Sequence, residues 1–80
     1  MNMIDASLIR EHLEVVGSDD KHVGKVDKVL GTDIELAKFD LGAGFKHHLI
    51  PTSWVDFVDD EKVHLNVTAD AAKAAWREKH

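Results

Sequence analysis

Apolar residues recur in short runs, often at alternate positions, broken by glycine, aspartate and proline, and this pattern predicts a sheet rather than a helical bundle. Leu13 to Val16 is apolar and β-branched enough for a strand, and Gly17-Ser18-Asp19-Asp20-Lys21 after it is turn chemistry. The return strand, His22 to Leu30, carries Val23, Val26, Val29 and Leu30 at a spacing nearer three than two. Gly24 and the flanking turns decide for a strand with a bulge or a close backbone approach. Beyond Gly31-Thr32-Asp33, Ile34 and Leu36 alternate with polar or small neighbours. Asp40 to Gly44 reads as a loop, and Lys46 to Ile50 as a strand halted by Pro51. Trp54 to Val58 and Lys62 to Val67 complete the set as a pair joined by Asp59-Asp60-Glu61. In the last strand Val63, Leu65 and Val67 face one way, and His64 and Asn66 the other.

Both ends carry helix signals. Asp5 stands at an N-cap position, with Ile4 and Ile9 spaced as a hydrophobic staple, so a short helical turn is expected there. Thr68 caps a second helix, expected over about 68–79. Asp70 lies in its first turn and Arg77, Lys79 and His80 in its last, each sign matched to the helix dipole. Ala69, Ala72, Ala75 and Trp76 form a stripe at helical spacing.

The expected fold is therefore mainly β: one domain over 1–80, with a small curled sheet or barrel of five to six strands over about 12–67 and the C-terminal helix after it. Eighty residues leave no room for a second domain. The chain has no cysteine, which excludes disulfides, thiolate metal sites and thiol nucleophiles. A formal charge of −5 opposes nucleic-acid binding. The first thirteen residues hold no apolar run long enough for a signal peptide or a span, so a cytoplasmic protein without direct membrane insertion is expected.

Three segments resemble the PRC-barrel family, in particular its small stand-alone members of unknown function. They are Val15-Val16-Gly17-Ser18-Asp19-Asp20-Lys21-His22-Val23-Gly24-Lys25-Val26-Asp27-Lys28-Val29, then His47-His48-Leu49-Ile50-Pro51-Thr52-Ser53-Trp54-Val55, then Val63-His64-Leu65-Asn66. The sequence departs from that family's pattern at Asp20, where glycine is usual, and aspartate tolerates a left-handed backbone there. The resemblance implies a β-barrel that acts by binding and supplies no catalytic residue.

Six histidines, at 12, 22, 47, 48, 64 and 80, are the candidates for metal or proton chemistry. His22, His47 or His48, and His64 would make a metal site if strand pairing brought them together. Adjacent His47 and His48 point to opposite faces and cannot both chelate one ion, and scattered surface histidines are the commoner state. The acidic run Asp56, Asp59, Asp60, Glu61 lacks the spaced oxygens of a calcium loop. No serine has a nucleophile-elbow frame, and no glycine loop carries a phosphate-binding motif. The reading is a non-catalytic interaction module without cofactor, expected to form a homodimer or to hold another protein. Trp76, Ala72 and Ala75 on the helix, an exposed strand edge, and Phe39 and Phe45 beside the glycine loop are its expected surface. The alternative is a metal- or small-ligand-binding domain using the histidines.

Overall fold

The computed structural model describes residues 9–37 and 47–78. It is mainly β with one C-terminal helix, as the alternation predicts. Among the described residues seven strands follow in chain order: β1 (Glu14–Val16), β2 (His22–Leu30), β3 (Asp33–Leu36), β4 (His48–Pro51), β5 (Val55–Val58), β6 (Lys62–Leu65) and the two-residue β7 (Arg77–Glu78). A 3-10 turn (Thr52–Trp54) precedes β5, and the helix α1 (Ala69–Ala75) precedes β7. The expected N-terminal turn at Asp5 lies outside the described residues.

The sheet order is β5-β6-β1-β2-β3-β4-β7. Neighbours pair antiparallel except β1 and β6, which run parallel with Val15 opposite Val63. The sheet does not close into the barrel that was one expectation. Its ends, β5 and β7, are short strands, one way a sheet limits the hazard of an open edge. Where the hairpin turns, Asp20 has φ 63°, as the left-handed tolerance of aspartate allows.

The near-threefold spacing in β2 has a physical origin in its two ladders. The register steps between Val15 and Val16 against β1, and between Val26 and Lys28 against β3. Each step is a bulge, which shifts the phase of the side chains and lets Val23 and Val26 both reach the core. Gly24 itself pairs regularly with Val15, and a side chain there would press on Leu36.

Val15, Val26, Ile34, Leu36, Ile50, Val63 and Leu65 form the centre of the core, and Ala69 and Ala72 bring α1 against it. Thr68 caps that helix as its sequence position requires, its hydroxyl accepting from the Ala71 N–H at 3.1 Å. The helix is shorter than the expected 68–79, because Trp76 leaves it with φ −66° and ψ 157°. Tertiary contacts end it: Leu49 and Arg77 pair across β4 and β7, and the Arg77 guanidinium meets the Asp33 carboxylate at 2.7 Å. Arg77 is thus a sheet residue, not part of a last helical turn.

Candidate functional site

Two groups of polar side chains and two ring stacks stand out, each placed by the sheet register. Across β5, β6 and β1, Phe57 pairs with His64 and His64 with Val16. The pairing steps between Val55 and Phe57, so Asp56 is the extra residue of a bulge in the edge strand. The step leaves Val55 buried while Phe57 is 49% exposed. The Phe57 ring lies flat on the His64 imidazole, with centroids 4.1 Å apart and planes 11° from parallel. His64 Nε2 is 2.7 Å from Asp59 Oδ2, and its Nδ1 is 3.8 Å from Asp20 Oδ1. Asp59 also accepts N–H bonds from Glu61 and Lys62 at 2.8 and 2.7 Å. Those contacts, the Glu61 N–H foremost and the His64 ring next, hold its carboxyl down at about 2. On the same sheet His22 Nδ1 meets Glu14 Oε2 at 2.7 Å, and Lys62 stands 4.0 Å from the other Glu14 oxygen.

The second group lies where β2, β3 and β4 meet. The bulge in β2 leaves Asp27 as its extra residue, so Asp27 and Lys28 together oppose Glu35. Glu35 pairs with Leu49, which puts His47, two residues earlier, on the Glu35 side of the sheet. Glu35 is only 1% exposed, and Lys28 Nζ is 3.9 Å from its Oε2. His47 Nδ1 donates to the Leu36 carbonyl at 2.8 Å and lies 3.6 Å from Glu35 Oε2 and 3.9 Å from Asp27 Oδ2. Donor atoms of Asp27, Glu35 and His47 all fall within 4.8 Å of one another, the one such His and carboxylate group among the described residues.

His48 points the opposite way. It is buried, stacks on Trp76 with centroids 4.1 Å apart, and leaves its Nδ1 without a hydrogen-bond partner. The four candidate metal histidines are therefore divided. His22 bonds Glu14, His64 bonds Asp59, His47 joins the Glu35 group, and His48 belongs to the core side.

The candidate interaction residues are divided too. Ala72 is fully buried, Ala75 is exposed, and Trp76 is half-buried against the domain's own core. Phe39 and Phe45 lie outside the described residues. Asp27 and Glu35 gave no signal in the sequence. Alternation with Ile34 and Leu36 made Glu35 look solvent-facing, and only the register across three strands brings it beside His47. No helix among the described residues is long and apolar enough to cross a membrane.

Against known proteins, residues 9–73 match the model of the family described as an uncharacterized protein conserved in bacteria (DUF2171), and the chain belongs to that family. No curated protein and no solved structure matches the chain significantly. The resemblance to the PRC-barrel family is thereby corrected. Its carrying segments are a turn-linked hairpin and two short alternating strands, which any small β domain can contain, and here they build an open sheet.

Proposed function

We propose that this domain is a non-catalytic interaction module whose contact is the outer edge of β5. Its partner is an extended, basic segment of another protein. The observation that carries this reading is Phe57: a half-exposed aromatic ring on an edge strand, held flat by the His64 imidazole beneath it. Among the described residues no strand pairs with the outer side of β5, the side on which an extended segment would add as a further strand. A rigid aromatic is the usual anchor of such a contact, because little conformational entropy is lost when it docks.

Charge selects the partner. Asp56, Asp59, Asp60 and Glu61 lie along β5 and the turn after it, in a chain of net charge −5. A second copy docked on the same edge would bring two acidic edges together, whereas lysine or arginine alternating with apolar residues complements both the charge and the ring. The expected contact through Trp76 gives way to this edge, since that ring is engaged with His48 and the core.

Selection of a displayed random peptide library on the pure domain tests the reading, with amide chemical-shift mapping of the enriched peptides and sedimentation equilibrium of the free protein. Enriched peptides should alternate basic and apolar residues and perturb residues 55–58. Phe57→Ala should weaken them at least about tenfold, as expected of an interface anchor. Asp56→Lys should weaken them also. Peptides that map elsewhere would overturn the edge. A concentration-dependent dimer abolished by Phe57→Ala would overturn the basic partner and seat a second copy there.

A further inference from the structure

The geometry points to a binding site for a first-row divalent transition-metal ion, Mn2+ or Zn2+, formed by Asp27, Glu35, His47 and the Leu36 carbonyl. It is independent of the β5 edge and uses only one of the histidines that the sequence offers as ligands.

Spacing supports the assignment first. An ion bound at about 2.1 Å by each donor holds adjacent donors about 3.0–3.4 Å apart in octahedral or tetrahedral geometry. From His47 Nδ1 the other donors stand at 2.8 Å (Leu36 O), 3.6 Å (Glu35 Oε2) and 3.9 Å (Asp27 Oδ2). Relative to His47 Nδ1, shifts of about half an ångström, within the reach of side-chain torsions, bring the two carboxylate oxygens to that spacing, and the ligand atoms of Asp27, Glu35 and His47 all lie within 4.8 Å of one another.

The chemistry of the donors sets the class of ion. One imidazole and three oxygens, two of them carboxylate, suit Mn2+, Zn2+ and their neighbours. The imidazole works against Ca2+ and Mg2+, and the lack of sulfur against Cu(I). A bound dication would join Lys28 as a cationic neighbour of Glu35, a carboxylate taken almost wholly out of water.

Two local features act on binding. The proton that His47 Nδ1 donates to Leu36 has to leave before a metal can take that nitrogen, and in the neutral ring it moves to Nε2. Lys28 Nζ, 3.9 Å from Glu35 Oε2 and half-exposed, competes with the ion for the same oxygen and can swing into solvent as it binds.

Calorimetric titration of the whole chain with Zn2+, Mn2+ and Mg2+ tests the site, with Mn2+ line broadening in the NMR spectrum to locate it. One Zn2+ or Mn2+ should bind per chain, with Mg2+ much weaker. Asp27→Asn and His47→Gln should each weaken binding at least about tenfold, a typical consequence of disturbing a metal's coordination. Lys28→Gln should tighten binding, which a merely structural lysine would not do, and His64→Gln should leave it unchanged. Asp27 is half-exposed, so its variant stays folded and keeps the test decisive. Broadening should appear first at Asp27, Leu36 and His47. Absence of saturable one-to-one binding, survival of binding in both weakening variants, or broadening centred on His64 and Asp59 would overturn the site.

Discussion

Adding a single methyl group at Gly17 tests how α1 is seated. A β-carbon on Gly17 would overlap the Ala69 nitrogen and lie 2.6 Å from Asp19 Oδ1 and 2.8 Å from the Thr68 carbonyl carbon. Two of these three obstacles are backbone, at the start of α1, so relief requires the helix to withdraw. Withdrawal stretches the Ser18 N–H bond to the Val67 carbonyl (2.8 Å) and the Ala69 N–H bond to Asp19 (3.2 Å), and it lifts Ala69 and Ala72 from the core. Overpacking against backbone belongs at the upper end of its usual range, about 3 kcal/mol. The stiffer unfolded chain returns about 0.7 kcal/mol. The net loss for Gly17→Ala is then about 2–3 kcal/mol, a fall in Tm of roughly 10–20 °C for a domain of this size.

The two other described glycines calibrate the experiment. Gly24→Ala meets only the Leu36 side chain, at 3.2 Å, and that tip can turn aside, so its cost should stay below about 1 kcal/mol. Gly31→Ala finds open space but has to hold φ at +63°, at a cost of about 1 kcal/mol. Urea unfolding of the three variants at equal m-values gives the order directly. A Gly17→Ala protein within about 0.5 kcal/mol of Gly24→Ala would refute the backbone-clash argument, because both substitutions change the unfolded chain alike.

Two further predictions follow from the ring stacks. Asp59 is depressed in the folded protein to about 2, against roughly 3.9 for an unperturbed aspartate, so its contribution to stability is complete above about pH 4 and fades as the pH falls toward 2. A carboxyl carbon titration should show a midpoint near 2, moving upward in His64→Gln; a midpoint near 4 would mean the turn contacts do not persist in solution. Trp76→Ala removes the ring that covers His48 and precedes β7, and a half-buried tryptophan should cost about 2–3 kcal/mol. Hydrogen exchange should then accelerate along β4 and β7 before the rest of the sheet, and uniform acceleration would contradict the local role given to this stack.

What the sequence determined by itself is the local part of this protein. Alternation marked β3 and β6, Gly24 and the flanking turns marked β2, turn chemistry marked the hairpin at Asp20, and Thr68 announced the start of α1, because each of these signals acts within about four residues. The tertiary structure alone decided the rest. Nothing near Trp76 stops a helix, yet the chain leaves it to pair Arg77 with Leu49 and to reach Asp33. Nothing near Val15 says that it lies beside Val63 in a parallel pair, or that among the described residues β5 is an edge strand with Phe57 half-exposed on it. Asp27, Glu35 and His47 converge only because a bulge and two strand registers coincide. Register and edges are properties of strands distant in sequence, set by which pairing buries the most apolar surface without leaving backbone groups unpaired, and a period read along one strand carries no information about its neighbour.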